Sequence, residues 1–156
     1  MKSFMIPADH HAAVQRALLL RRSGEASALT ELIALSKLPS NEVQRLAASA
    51  IGKLAGFGAD ALAAVKTLVP LALHGRHPQT QQYALRALKP YASAAQAHLH
   101  DLQDFANNPV QRDYVRAVAL TTVEAIEQAA RDGEVGVAHR CQRCHAAVSA
   151  EEYRQA

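Results

Sequence analysis

The hydrophobic pattern between Leu38 and Gly56 is the clearest helical signal in the chain. Pro39 interrupts whatever precedes it, and Ser40 or Asn41 can cap the free amides of a new helix. Apolar positions then recur at helical spacing until Gly56 ends the pattern. These positions are Val43, Ala47, Ala50, Ile51 and Leu54. A short, Ala-rich helix cannot bury such a stripe alone, so the pattern predicts packing against neighbouring helices.

The same pattern returns twice further along the chain. Ala50-Ile51 corresponds to Ala87-Leu88, 37 positions later, and Ala84 and Tyr91 flank this second copy on the same side. A third, weaker copy lies in the long helix predicted from Val110 to Ala130. Repeats of roughly 30 to 40 residues, each built from two antiparallel helices, are typical of an α-solenoid. The sequence therefore predicts an all-α protein.

The other predicted helices begin at capping residues and end at Gly, Asn or Pro. They run from His10 to Arg22 behind Asp9, from Ala26 to Leu38, from Asp60 to His74, from Pro78 onward, and from Ser93 to about Ala106. The predicted inner stripe of the Asp60 to His74 helix is Leu62, Val65, Val69 and Ala72, with Pro70 inside the pattern. The predicted inner stripe of the last helix is Val110, Tyr114, Ala117, Val118, Thr121 and Ala125.

Two short motifs resemble the second helix of a HEAT repeat. The family pattern has a turn residue, Val-Arg, small residues and Ala-Leu-Gly-x-Leu. Glu42-Val43-Gln44-Arg45 and Ala50-Ile51-Gly52-Lys53-Leu54 are similar to it. In the two later copies, Lys89 and Ala119 stand where the first has Gly52. The resemblance covers about residues 25 to 130.

The HEAT resemblance implies both an architecture and a function. The expected architecture is an α-solenoid of about three HEAT-like helical pairs with an extra N-terminal helix, over residues 1–131. Residues 132–156 are then a flexible tail, joined through the linker from Arg131 to Gly136. The implied function is that of a non-catalytic adaptor or scaffold, which binds a protein partner through its concave face.

The amino-acid composition excludes several classes of protein. The chain has 156 residues, enough for one domain with a core, and 49% are hydrophobic but only 4% aromatic, with no Trp. The core must therefore be aliphatic and Ala-rich. The net charge of +3 is too small to diagnose a nucleic-acid partner. Because we recognise neither a signal peptide nor a membrane span, we expect a cytoplasmic protein without a membrane partner.

Basic residues form the candidate partner-binding surface. In HEAT arrays the second helices line the concave face, and the repeat offsets bring basic residues of three helices towards one ridge. The candidate residues are Arg45, Ser49, Lys53, Arg86, Lys89, Arg112 and Arg116. Between Pro39 and Tyr91 there are six Lys or Arg against two Asp or Glu.

Three interpretations of this ridge remain open. It can bind a protein partner, or it can follow the phosphates of a nucleic acid. Alternatively, Arg45 braces one repeat against the next through a carboxylate ladder, in which Glu42 and Asp113 neutralise part of the charge. The scarcity of aromatic residues counts against single-stranded nucleic acid, which binds by stacking.

The pair Cys141-x-x-Cys144 is the motif with the most specific chemistry. Two thiolates at this spacing supply half of a tetrahedral zinc site, with His139 and His145 as auxiliary ligands. The motif and the residues that follow it resemble the opening half of a zinc-ribbon tail, but the second Cys pair of such tails is missing. Two chains sharing one zinc ion, as a homodimer, would complete the site.

Other interpretations of the cysteine pair also stay open. Cys141-Gln142-Arg143-Cys144-His145 matches the haem c attachment motif, but attachment needs export, so we do not expect haem c. The pair can also be a redox dithiol or an inert part of the tail. Elsewhere the sequence has no phosphate-binding loop and no catalytic triad pattern, so we expect a protein that is not an enzyme.

Overall fold

Helices make up all the regular structure that is described. The computed structural model describes residues 9–143, and side chains over residues 9–133. Within that range there is no strand, which confirms the all-α prediction. The α-helices of the described range are α1 (His10–Ser23), α2 (Leu29–Ser36), α3 (Asn41–Lys53), α4 (Ala61–His74), α5 (Pro78–Leu88), α6 (Leu99–Asn107) and α7 (Asp113–Arg143). Segments of 3-10 helix cover Ala26–Ala28, Leu54–Phe57 and Lys89–His98, the last of which is interrupted by a kink at Tyr91.

The helix starts follow from the capping residues that the sequence predicts. The side chains of Asp9, Ser40 and Asp60 each accept a hydrogen bond from the backbone amide three residues later, at 2.9, 3.2 and 3.2 Å. Each bond satisfies one of the free amides of the first helical turn. Pro78 occupies the first position of α5, where its missing N–H costs no helical hydrogen bond.

The helices pack in a regular order. Helix α3 lies between α1 and α5, and α5 lies between α3 and α7. Helix α2 packs on α3, α4 packs on α5, and α6 packs on α7. The 3-10 helix at Lys89–His98 bridges α4 and α7. The pairs α2–α3, α4–α5 and α6–α7 therefore contact one another in chain order.

Small and aliphatic side chains build the core between these helices. All five positions of the first predicted stripe, in and just after α3, are buried, as are the four predicted positions of the second copy around α5. The largest fully buried side chains are Leu32, Leu35, Ile51, Leu54, Leu68, Leu85, Leu88, Leu102 and Ile126. The prediction of an aliphatic, Ala-rich core agrees with this burial.

The contact between α3 and α5 is unusually close. A Cβ atom added to Gly52 would lie 2.9 Å from both Cα and Cβ of Ala87, so the two backbones touch where neither residue has a large side chain. Nearby, the Tyr91 hydroxyl donates a hydrogen bond of 2.6 Å to the carbonyl oxygen of Ile51. Burial raises the pKa of Tyr91 to about 12. Backbone contact and a buried hydrogen bond thus fix α3 against the segment that contains α5.

Two predicted inner stripes differ from the observed ones. Leu62 is 73% exposed, and Leu68 is buried on α4 instead. The last helix begins at Asp113 rather than at Val110, which lies in the preceding turn and is 85% exposed, and Tyr114 in the first turn of α7 is 41% exposed. The buried residues of α7 are Val115, Ala119, Thr122, Val123 and Ile126. This face is rotated by about one residue, or 100°, from the predicted one. The pattern did not discriminate between the faces because α7 carries small residues around most of its circumference.

The last helix is also longer than the sequence predicts. Helix α7 continues to Arg143, through the stretch from Arg131 to Gly136 that we interpreted as a linker. The division into a domain at 1–131 and a tail at 132–156 stays a prediction, since most of the tail lies outside the described residues.

We expect Gly52→Ala to lower the free energy of unfolding by about 1–3 kcal/mol, because the added methyl group would force the α3 and α5 backbones apart. Gly56→Ala is the matched control, since nothing lies within 4 Å of a Cβ there. Urea unfolding measures both variants. Equal effects of the two substitutions would contradict the close contact.

We expect Tyr91→Phe to change how stability depends on pH. The pKa of Tyr91 lies above the ordinary value, so the folded state keeps the hydroxyl proton where the unfolded state loses it. Stability should therefore fall as pH rises from about 10 to 12, by a total of about 2–3 kcal/mol, and Tyr91→Phe should lack this loss. At pH 7 the variant should lose about 1 kcal/mol with its hydrogen bond.

The control for this pH effect is Tyr114→Phe, because Tyr114 is 41% exposed whereas Tyr91 is 4% exposed. Urea unfolding at several pH values between 9 and 12 gives the comparison. A Tyr91→Phe variant that lost stability in parallel with the unsubstituted protein would show that another group titrates.

Candidate partner-binding groove

A groove of about 210 Å³ lies between α3 and α5, and we call it the Tyr83 groove. Gly52 and Ala87, whose backbones are in contact, are among the residues that line it. Polar and basic residues of both helices line it as well. The lining residues are Ser49, Gly52, Lys53, Tyr83, Arg86, Ala87 and Pro90.

Helical periodicity explains why these side chains share a face. Helix α3 buries Val43, Ala47 and Ile51, and so leaves Arg45, Ser49 and Lys53 at four-residue steps towards the other side. On α5, the burial of Ala84, Leu85 and Leu88 leaves Tyr83 and Arg86 outside, one turn apart. The structure brings Ser49, Lys53 and Arg86 together, as the repeat offset predicts.

The ring of Tyr83 contacts the guanidinium groups of two arginines from different helices. The Cζ atoms of Arg45 and Arg86 each lie 5.7 Å from the centroid of the Tyr83 ring. The negative face of an aromatic ring attracts a cation, and each such contact contributes about 0.5–1 kcal/mol at an exposed site. The ring thus offsets part of the repulsion between two like charges from different helices.

No carboxylate neutralises these cations among the described residues. The ring of His10 pairs with Glu42 at 3.1 Å (Nε2 to Oε1), so Glu42 is engaged away from Arg45. The carboxylate ladder considered for Arg45 is therefore not formed with Glu42. Asp and Glu are also missing from the lining of the Tyr83 groove.

Arg16 provides a contrast elsewhere in the fold. Its Nη2 atom donates a hydrogen bond of 2.7 Å to Oε1 of Glu31, which joins α1 to α2, and its Nε atom contacts the other carboxylate oxygen. The hydrogen bond with Glu31 raises the pKa of Arg16. An arginine used to brace this fold is therefore paired with a carboxylate, whereas Arg45 and Arg86 are not.

The remaining basic candidates lie apart from the Tyr83 groove. Lys89 is half-buried at the start of a 3-10 helix and does not line the groove. Arg112 is exposed just before α7. Nε of Arg116 donates a hydrogen bond of 3.2 Å to the carbonyl oxygen of Ala106, near the end of α6. Of the predicted ridge, Ser49, Lys53 and Arg86 therefore line the groove, and the ridge as a whole stays a prediction.

Sequence reasoning missed Tyr83. The offset of 37 aligns it with Leu46, a half-buried position on α3, so the repeat register alone suggests an ordinary packing residue. The available signal is its spacing of three residues from Arg86, which places the two side chains on one helix face. The chain has few aromatic residues, which counted against stacking, but this groove does contain one aromatic ring, that of Tyr83.

The predicted metal ligands fall largely outside the described residues. His139 and Cys141 lie within the bounds of α7, but side chains are described only to residue 133, and Cys144 and His145 lie beyond residue 143. Over residues 9–133, no group of three or more His, Cys, Asp or Glu side chains has an arrangement suited to a metal ion. The zinc site stays a prediction.

Comparisons of the chain with protein-family models, with curated proteins and with solved structures find no match. The HEAT resemblance therefore depends on the motifs around Val43 and Gly52 and stays a prediction. Within the described range, the helices are too short or too polar to cross a membrane.

The zinc prediction can be tested by native and denaturing mass spectrometry of the full chain, purified without chelator. We expect a dimer that carries one zinc ion, because Cys141 and Cys144 supply only half of a tetrahedral site. Cys141→Ser should remove the ion, and His98→Gln is a control outside the motif. A metal-free monomer with free thiols would contradict the shared site.

Proposed function

We propose that this protein is a non-catalytic adaptor, an α-solenoid of HEAT-like repeats that binds a protein partner beside the Tyr83 groove. The packing order supports the architectural part of the proposal: α1 contacts α3, α3 contacts α5 and α5 contacts α7, while α2, α4 and α6 pack on α3, α5 and α7 respectively. The motif resemblance around α3 agrees with that order. Partner binding through a surface that the second helices share is the use that such an architecture implies.

The observation that carries the binding proposal is the cluster of unneutralised cations around Tyr83. Arg45 and Arg86 contact the same ring, and Lys53 lines the same groove. Placing like charges together without a carboxylate opposes folding, so a cluster of this kind is more simply explained by an acidic partner than by stability. Arginine and tyrosine are also among the residues that contribute most to protein–protein binding energy.

The chemistry of the Tyr83 groove favours binding over catalysis. Its polar groups are mainly hydrogen-bond donors, from Lys53 and Arg86, and it contains neither a carboxylate nor a histidine that could act as a general base. Ser49 contributes a hydroxyl group, but no base lies among the lining residues to activate it.

The positions of the outlying basic residues favour a protein over a nucleic acid. A nucleic-acid backbone requires cations at regular intervals along an extended path. Arg116 is instead bound to the carbonyl oxygen of Ala106, and Lys89 lies outside the groove. A compact cluster suits a localised acidic group on a folded partner or peptide.

Photo-crosslinking in the cells that naturally produce the protein tests this proposal. A photoreactive phenylalanine analogue would replace Ser49 in the groove or Gln82, which precedes Tyr83 on α5. As a control, it would replace Thr67 in the separate cleft between α2 and α4. We expect one discrete protein adduct from the first two positions and none from the third. Charge reversal by Arg45→Glu with Arg86→Glu should abolish the adduct, because it replaces two cations with anions.

Three outcomes would contradict the adaptor proposal. The adducts could contain nucleic acid, they could form equally at Thr67, or they could persist after charge reversal. Lys66→Glu, which changes a charge in the other cleft, is the matched control and should leave the adduct unchanged.

A further inference from the structure

Three residues with hydrogen-bond donors, Arg86, Lys53 and Ser49, are among those that line the Tyr83 groove of about 210 Å³. Arg45 lies outside this lining, but its guanidinium contacts the same Tyr83 ring as that of Arg86. Each guanidinium offers five N–H donors in a rigid fork and each ammonium offers three. Together these side chains can bind an anion with several acceptor oxygens.

The charge of the cluster exceeds what one carboxylate can balance. Arg45, Arg86 and Lys53 carry three formal positive charges, and no Asp or Glu lines the groove. A carboxylate brings one negative charge and two oxygens. A phosphorylated side chain brings about −1.5 to −2 charge at pH 7 and three strongly accepting oxygens, and it is commonly recognised by arginine clusters.

The size of the groove limits the kind of ligand. A volume of about 210 Å³ suits one phosphorylated side chain, whereas a nucleic-acid strand would extend beyond the two helices.

We propose that the Tyr83 groove binds a phosphorylated side chain of the partner protein, with Arg45 and Arg86 as the guanidinium ligands and Lys53 as a point charge. Ser49 adds a hydroxyl donor. Tyr83 is a positioning residue, since its ring holds both arginines near the groove. This inference rests on the proposed function, because it specifies the partner chemistry that the same surface selects.

A second basic cleft provides an internal comparison. The cleft between α2 and α4 contains Lys37 and Lys66 beside Pro70 and has a volume of about 400 Å³. It is larger, but it offers ammonium groups without a guanidinium fork. If positive charge alone determined binding, this cleft would bind a phosphate group as well as the Tyr83 groove does.

The test is an NMR titration of the full chain with N-acetyl-O-phosphoserine amide, followed through backbone amide and arginine Nε–H signals. N-acetylglutamate amide and inorganic phosphate are the comparison ligands. We expect saturable shifts at Ser49, Gly52 and Arg86 with the phosphoserine probe, and at least tenfold weaker binding of the glutamate probe. Inorganic phosphate should shift the same signals, because it shares the recognised group.

Variants assign the binding to the groove. Arg86→Gln should weaken phosphoserine binding about tenfold, because it removes a bidentate, charge-assisted contact. Arg86→Lys should recover only part of that loss, since lysine keeps the charge but not the fork. Lys66→Gln should have no effect.

A further pair of variants tests whether Tyr83 positions the two arginines or only stabilises the fold. Tyr83→Phe keeps the ring and should preserve affinity, whereas Tyr83→Leu should weaken binding several-fold and change the arginine Nε–H signals before ligand is added. Urea unfolding identifies any general loss of stability.

Several results would overturn the proposal. The phosphoserine probe could show no saturable binding, or the glutamate probe could bind equally well. The NMR shifts could centre on Lys37 and Lys66, or Arg86→Gln could leave the affinity for phosphoserine unchanged. Selective binding of vesicles with phosphoinositide head groups, or of a single-stranded oligonucleotide, would also assign the cluster to another ligand class.

The phosphate inference and the adaptor proposal can fail separately. If crosslinking identifies a partner at Ser49 and Gln82 but phosphatase treatment leaves its capture unchanged, the adaptor proposal holds and the phosphate inference fails. If the phosphoserine probe binds but crosslinking gives no site-specific protein adduct, the groove chemistry is supported and the adaptor proposal fails.

Discussion

The close approach of α3 and α5 is the constraint on which most of this structure depends. Gly52 and Ala87 let the two backbones touch, which places Leu54 and Leu88 in a shared aliphatic core. The Tyr91 hydroxyl reaches the Ile51 carbonyl oxygen because the helices are this close. Where two helices meet through small residues, packing density comes from backbone proximity rather than from large side chains. A protein with few aromatic residues can build a dense core in this way.

The sequence predicts much of the fold because capping and periodicity act locally. Ser40 and Asp60 accept hydrogen bonds from amides of their own helices, so their effect does not depend on the rest of the chain. The rotational position of a helix is a tertiary property. On α7, small residues such as Ala117 and Ala119 fit on either face, and packing against α5 and α6 decides which one is buried. Periodicity alone therefore assigned the wrong face there.

The candidate site was predictable in part for the same reason. Arg45, Ser49 and Lys53 share a face because α3 has helical periodicity. Tyr83 joins the two arginines through distances between helices, which no pattern within one helix specifies. Arg116 has the sequence spacing of the predicted ridge, but its side chain is hydrogen-bonded to Ala106. The repeat spacing in the sequence identifies candidate residues for a shared surface. The orientation of their side chains in the fold decides which of them lie on it.

The contact at Gly52 has a consequence for how this surface evolves. Gly52 has no side chain with which to recognise a partner, yet it allows the close approach of α3 and α5, the helices that carry Arg45 and Arg86. Replacing Gly52 with a larger residue would push α3 and α5 apart and widen the groove, although none of the charged residues would be substituted. Homologous chains with identical basic residues would then differ in ligand selectivity. The identity of residue 52, rather than the count of arginines, would distinguish them.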